Sequence, residues 1–183
     1  MTTYIVLLRG INVGGKHIVK MAELRSMLES LGCRQVQTYI QSGNVVLESD
    51  EEPESLAAAI EDGMKRVFAV PAAVMLRSAA EFADIIERCP YSPDALAEGH
   101  SIHVSLLKEA PSPEAVERLA DIPPGIDEYR IVGHEIYQLY RQKISDSKLP
   151  IYLQKLKMPA TARNWQTMLK LAGMVKARTE GTT

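Results

Sequence analysis

The residues best suited to chemistry in this chain fall in two short segments. The first, "RGINVGGKH", runs from Arg9 to His17 and gathers the cations Arg9 and Lys16, the amide Asn12 and the glycines Gly10, Gly14 and Gly15. The second, "QSGN", sets Gln41, Ser42 and Asn44 around Gly43. Glycines expose backbone amides and allow close approach, while the cations and side-chain amides recognise oxygen-rich groups. Together they suit a phosphate, a carboxylate or a nucleotide-like anion. Gly10-x-x-x-x-Gly15-Lys16 also matches a P-loop up to its last position, where His17 replaces the hydroxyl residue that holds Mg²⁺. Ile18 and Val19 oppose the immediate helix a P-loop requires, and no later strand pattern ends in a metal-binding Asp. A nucleotide-hydrolysing loop is therefore disfavoured. The bland alternative is a turn whose Asn and Gly only satisfy their own backbone.

Position decides whether the two segments act together. Apolar spacing predicts strand Tyr4–Arg9, helix Met21–Leu31, strands Val36–Ile40 and Val45–Glu48, helix Pro53–Val70 with Leu56, Ile60, Met64 and Val67 inward, and strand Ala73–Arg77. This β-α-β-β-α-β order is the ferredoxin-like signature. A linking helix Ala79–Arg88 and the turn-rich connector "CPYSPDALAEG" follow. The second half then nearly repeats the first: strand Ser101–Leu107, helix Pro113–Ala120, strands Tyr129–Val132 and Ile136–Tyr140, and a last helix around Asn164–Ala172. It falls one strand short, with 141–160 reading as an insertion. The expected fold class is α+β: two ferredoxin-like halves with mostly antiparallel sheets, at 1–78 and 101–183, joined by 79–100. In a split β-α-β unit the first two strands run parallel, so the glycine-rich loop and the "QSGN" turn should leave the same edge of the sheet.

The segments "LLRGINVGGK", "MAELRSMLESLG" and "VQTYIQSGNVVLES", with "SDSKL" and "MPATARNWQTMLKL" later, resemble the uncharacterised bacterial family DUF1697, domain of unknown function 1697. The likeness spans nearly the whole chain. Two positions depart from the family pattern: Ala162 stands before "RNW" where Thr is usual, and Gln166 after it where Asn is usual. The resemblance implies two ferredoxin-like halves and no established reaction. Arg163 and Asn164 of that motif are expected in the first turn of the last helix, with Thr161 as its cap. An arginine there opposes the helix dipole and calls for an anionic partner, which adds both residues to the candidate site.

Other chemistry is sparse. His100 and His103 would point to opposite faces of a strand, and no metal-binding spacing occurs. Neither a metal nor a cofactor is implied. Cys33 and Cys89 read as reduced structural thiols, which with the lack of a leader or an apolar span points to the cytoplasm and to no membrane partner. Charge is uneven: residues 1–129 carry a balance of −9 and residues 130–183 one of +7. The basic third could face an anion or lie against the acidic first part. The leading expectation is an anionic small molecule held by Arg9, Asn12, Lys16, Gln41, Ser42, Asn44, Arg163 and Asn164. If the site is catalytic, Lys16 is its electrostatic stabiliser or base. The alternatives are a module for single-stranded RNA or other nucleic acid, which needs aromatics such as Tyr4 and Tyr39 exposed, and an interaction domain whose loop makes a contact between copies.

Overall fold

In the computed structural model, which describes residues 1–181, the chain forms two four-stranded antiparallel sheets with helices packed on them. It divides into two compact units, Met1–Asp84 with Leu169–Thr183, and Ile85–Met168.

The first unit runs β1 (Thr2–Arg9), α1 (Met21–Ser30), β2 (Arg34–Tyr39), β3 (Asn44–Ser49), α2 (Pro53–Phe68) and β4 (Ala73–Ser78), followed by the start of α3 (Ala79–Glu87). Its sheet order is β2-β3-β1-β4, with every neighbouring pair antiparallel. β1 and β2 both oppose β3, so they run in the same direction, and the segments that follow them emerge at one end of the sheet. One face is closed by α1 and α2: Tyr4, Val6 and Leu8 of β1 pack with Leu24, Leu28, Leu56 and Ile60. Gly63 lets the two helices approach, since a Cβ there would lie 2.6 Å from the Met27 sulfur. The opposite face is also closed, with Ile5, Leu7, Val46 and Met75 each no more than 2% exposed. Both faces of the central strands being buried explains why they read as continuous apolar runs. Val67, expected inward, is 55% exposed because it sits in the last turn of α2.

The second unit runs β5 (Ser101–Leu107), α4 (Pro113–Ala120), β6 (Glu128–Val132), β7 (Glu135–Tyr140), α5 (Leu149–Leu153) and β8 (Ala160–Asn164), with sheet order β6-β7-β5-β8. The strand missing from the sequence reading is β8. Its burial alternates, but through Thr161 and Arg163 rather than through apolar residues, so no hydrophobic period marks it. The stretch 141–160 is accordingly the crossover from β7 together with the first residue of β8, not an insertion. Leu156, just after α5, packs with Leu107, Leu119 and Ile136. The last helix, α6, spans Trp165–Glu180, so Arg163 and Asn164 precede it on β8 rather than lying in its first turn.

Candidate functional site

The glycine-rich segment folds as a miniature hairpin at the end of β1. Ile11 and Val19, 1% and 3% exposed, root its two arms in the core. Between them Asn12 N–H donates to the His17 carbonyl and Lys16 N–H to the Val13 carbonyl, each at 3.0 Å. Gly14 and Gly15, at φ +58° and +73°, make the two-residue turn, a geometry that a β-carbon resists. Lys16 therefore sits on a hairpin arm, and α1 begins only at Met21. This is not the strand-to-helix cradle of a P-loop.

Asn12 ties the hairpin to the neighbouring turn. Its Oδ1 accepts from Val19 N–H at 2.8 Å, and its Nδ2 donates to the carbonyls of Val19 at 3.0 Å and Gln41 at 2.7 Å. The "QSGN" turn is fixed from its other side, where Leu8 N–H donates to the Gly43 carbonyl at 2.8 Å. Gly43 has φ +88°, and a Cβ on it would meet that of Leu8 at 2.8 Å. Asn44 is fully buried and donates through Nδ2 to the Tyr39 carbonyl at 3.0 Å and to Ser42 Oγ at 2.8 Å. The structure thus brings the two segments together, but it gives Asn12 and Asn44 a structural task. Arg9, Lys16, Gln41 and Ser42 stand exposed at this end, with Gly10 and the Gly14–Gly15 turn. Neither Arg9 nor Lys16 meets a carboxylate among the described residues.

Arg163 and Asn164 belong to the second unit. Asn164 Oδ1 accepts from Thr167 N–H at 2.8 Å, so Asn164, not Thr161, caps α6. Arg163 donates to Thr161 Oγ1 at 2.7 Å and to the Ala162 carbonyl at 2.9 Å, and burial pulls its guanidinium down to about 10.

Two polar networks in the second unit escaped the sequence reading. Asp127, 1% exposed, accepts from Arg141 N–H and Gln142 Nε2 at 2.8 Å each and from Ser147 Oγ at 2.5 Å. Burial alone would raise its carboxyl, but the bonds from Ser147, Arg141 and Gln142 outweigh that and hold it below the ordinary range. Ser147 in turn accepts from Leu149 N–H at 3.1 Å, which starts α5 and accounts for the second serine of "SDSKL". In the other network, Tyr140 OH donates to Gln138 Oε1 and Gln138 Nε2 to Ser105 Oγ, each at 2.5 Å. His103 lies edge-to-face on Tyr140 with ring centroids 5.2 Å apart, and burial lowers its imidazole. These residues lie far apart in sequence, and the signals were single polar residues inside apolar strands. Among the described residues no group of three His, Cys, Asp or Glu could hold a metal, and no helix is long and apolar enough to cross a membrane.

The profile of a family described as "Protein of unknown function (DUF1697)" matches residues 1–137, and the chain belongs to that family. Among solved structures it is similar to the conserved bacterial protein SP0830 from Streptococcus pneumoniae, at 26% identity and a TM-score of 0.78, over 94% of this chain and 98% of that one. No curated protein matches.

Proposed function

We propose that the protein binds an anionic ligand, phosphate- or carboxylate-bearing, at the loop end of the first unit. The carrying observation is a hydrogen-bonded, exposed hairpin at the end of β1 that presents Arg9 and Lys16 with no carboxylate beside either among the described residues. Fixing a loop in advance lowers the entropy lost on binding, and Asn12 and Asn44 do that here. Lys16, Arg9 and the amides of Gly14 and Gly15 are the contacts to the anion, with Gln41 and Ser42 as neutral neighbours. Arg163 and Asn164 are engaged by their own strand and helix, and this reading does not draw on them.

The strand and helix order of both units supports a ferredoxin-like assignment for each. Nucleic acid fits less well: Tyr4 is 4% exposed among core residues and Tyr39 is half-buried beneath the Lys170 ammonium, so neither offers an open stacking face. The two free thiols, Cys33 and Cys89, are compatible with a cytoplasmic setting. A thermal-shift screen of phosphometabolites, nucleotides, dicarboxylates and short RNA tests the class of ligand. Stabilisation by phosphate or carboxylate compounds is expected, and stabilisation by RNA alone would replace this reading with the nucleic-acid one.

A further inference from the structure

The exposed apolar residues of the first unit gather at one end. Arg9 pairs with Ala73 across the β1–β4 ladder, so the connection from α2 to β4 and the last turn of α2 share the end that carries the hairpin and the "QSGN" turn. Among the described residues of this unit the exposed large apolar side chains are Met1, Val13, Ile18, Ile40, Val67 and Leu169, and Val13, Ile18, Ile40 and Val67 lie at this end. Val13, Ile18 and Ile40 are 64%, 63% and 53% exposed, and Asn12 joins their segments through its bonds to Val19 and Gln41. Ile40 is also β-branched and held at φ +49°, in the left-handed region that such residues avoid. Asn or Gly would relieve the strain and remove an exposed aliphatic group, yet the chain keeps isoleucine. Both features are unfavourable to the isolated fold, and a contact outside it accounts for them.

Charge is sorted along the same direction. Residues 9–22 contain Arg9, Lys16 and Lys20, residues 39–47 no charge, and residues 63–76 Lys65 and Arg66; none of the three segments contains an acid. The acids nearest in sequence to the two basic segments are Glu23 and Asp62, and Asp62 is engaged by Arg66 at 3.1 Å. At the opposite end, where Thr2 pairs with Ser49, the acids Asp50, Glu51, Glu52 and Glu54 follow β3, and the Met1 ammonium meets Asp50 at 3.2 Å. The unit is thus basic and apolar at one end and acidic at the other. A free phosphate compound uses the cations but gives the aliphatic tips nothing to be buried in. A nucleic acid uses the cations and asks for aromatic faces that this end does not open. An anionic bilayer uses both: its phosphates meet the cations, its hydrocarbon boundary takes the tips, and the acidic end faces away from its charge. Val13 and Ile40 stand beside the two turns, each more than half exposed, where they can enter a planar surface. The lack of an apolar span bears on crossing a bilayer, not on docking at its surface.

We infer that this end docks on an anionic lipid bilayer, with Val13, Ile18 and Ile40 entering the hydrocarbon boundary and Arg9, Lys16 and Lys20 meeting lipid phosphates. Docking rests on the anion-binding reading of the same end and makes lipid phosphate the source of the anion. The test is co-sedimentation of the full chain with vesicles of phosphatidylcholine alone and of phosphatidylcholine with phosphatidylglycerol, beside titrations with pyrophosphate. Wild type should sediment with the anionic vesicles, poorly with the neutral ones, and less as salt is raised. Lys16→Ala should weaken vesicle binding about fivefold, the share of one cation at a charged surface. Ile40→Asn should weaken it about tenfold and leave pyrophosphate affinity unchanged, since it removes no charge. Its thermal midpoint should equal or exceed that of wild type, because Asn tolerates the backbone better. Three results overturn the inference: no sedimentation with anionic vesicles at low salt, which leaves a soluble acidic partner as the occupant; equal sedimentation with both kinds of vesicle; or Ile40→Asn binding vesicles as wild type does. Pyrophosphate bound without vesicles would end docking and leave the ligand reading standing. Vesicle binding that depends on Ile40, without affinity for pyrophosphate, would uphold docking and end the reading of a free anion.

Discussion

At the residue scale, the side chains that looked equally suited to a ligand divide into two kinds. Asn12 and Asn44 were chosen from the sequence for their paired donors and acceptors, and the structure uses those same groups to hold backbone. Residue type was legible, and the partner was not, because the carbonyl of Gln41 lies 29 residues from Asn12. Asn12→Ala removes three hydrogen bonds and places alanine at φ +52°. We expect a loss of about 1–3 kcal/mol in urea unfolding, larger than for any cation at this end. Gly43 is constrained twice, by its φ of +88° and by the 2.8 Å approach to Leu8. Gly43→Ala should therefore cost about 2 kcal/mol or more, read by the same unfolding curves. Gly15→Ala, with open space around the added carbon, should show the conformational strain alone and lose less.

At the scale of elements, the strands and helices with a clear apolar period were legible to within a few residues: β5 and α4 were anticipated at their observed limits. The failure was β8, where the inward positions are Thr161 and Arg163, and hydrophobic spacing carries no information. The sequence reading therefore puts Arg163 and Asn164 on a helix, where the structure has them at the end of β8. With Asn164 established as the cap of α6, Asn164→Ala should lower stability by about 1 kcal/mol, and Asn164→Asp or Asn164→Ser should restore most of it. Thermal denaturation of the three variants checks this, and an unchanged midpoint for the alanine variant would contradict the cap.

At the scale of the whole molecule, the charge split between residues 1–129 and 130–183 is partly internal pairing. Within the first unit Arg178 of α6 reaches the backbone of β2 and β3 and lies 3.9 Å from Glu48, while in the second Arg141 meets Glu128 at 2.8 Å. Those pairs need spatial neighbours that no local pattern reveals. Asp127 makes acid stability a property of the molecule. Its folded pKa lies below its unfolded value, so its contribution is complete above roughly pH 4 and declines as pH falls through the lower, folded value. Asp127→Asn keeps the shape but turns an amide toward two donors. It should cost about 1–3 kcal/mol near neutrality, and its deficit relative to wild type should shrink below roughly pH 4. Urea midpoints of both proteins across pH 2–8 measure it.

The central claim is that the loop end of the first unit holds an anion through Lys16. The most direct measurement is isothermal titration of inorganic pyrophosphate, chosen as a compact polyanion, into wild type and Lys16→Ala, with unfolding curves for both. Lys16 is exposed and off the core, so the variant should keep its stability within ~0.5 kcal/mol. Its affinity should fall about tenfold to a hundredfold, the loss of one charge-assisted contact. Equal affinity in the two proteins, or no binding by wild type at millimolar pyrophosphate, would contradict the account.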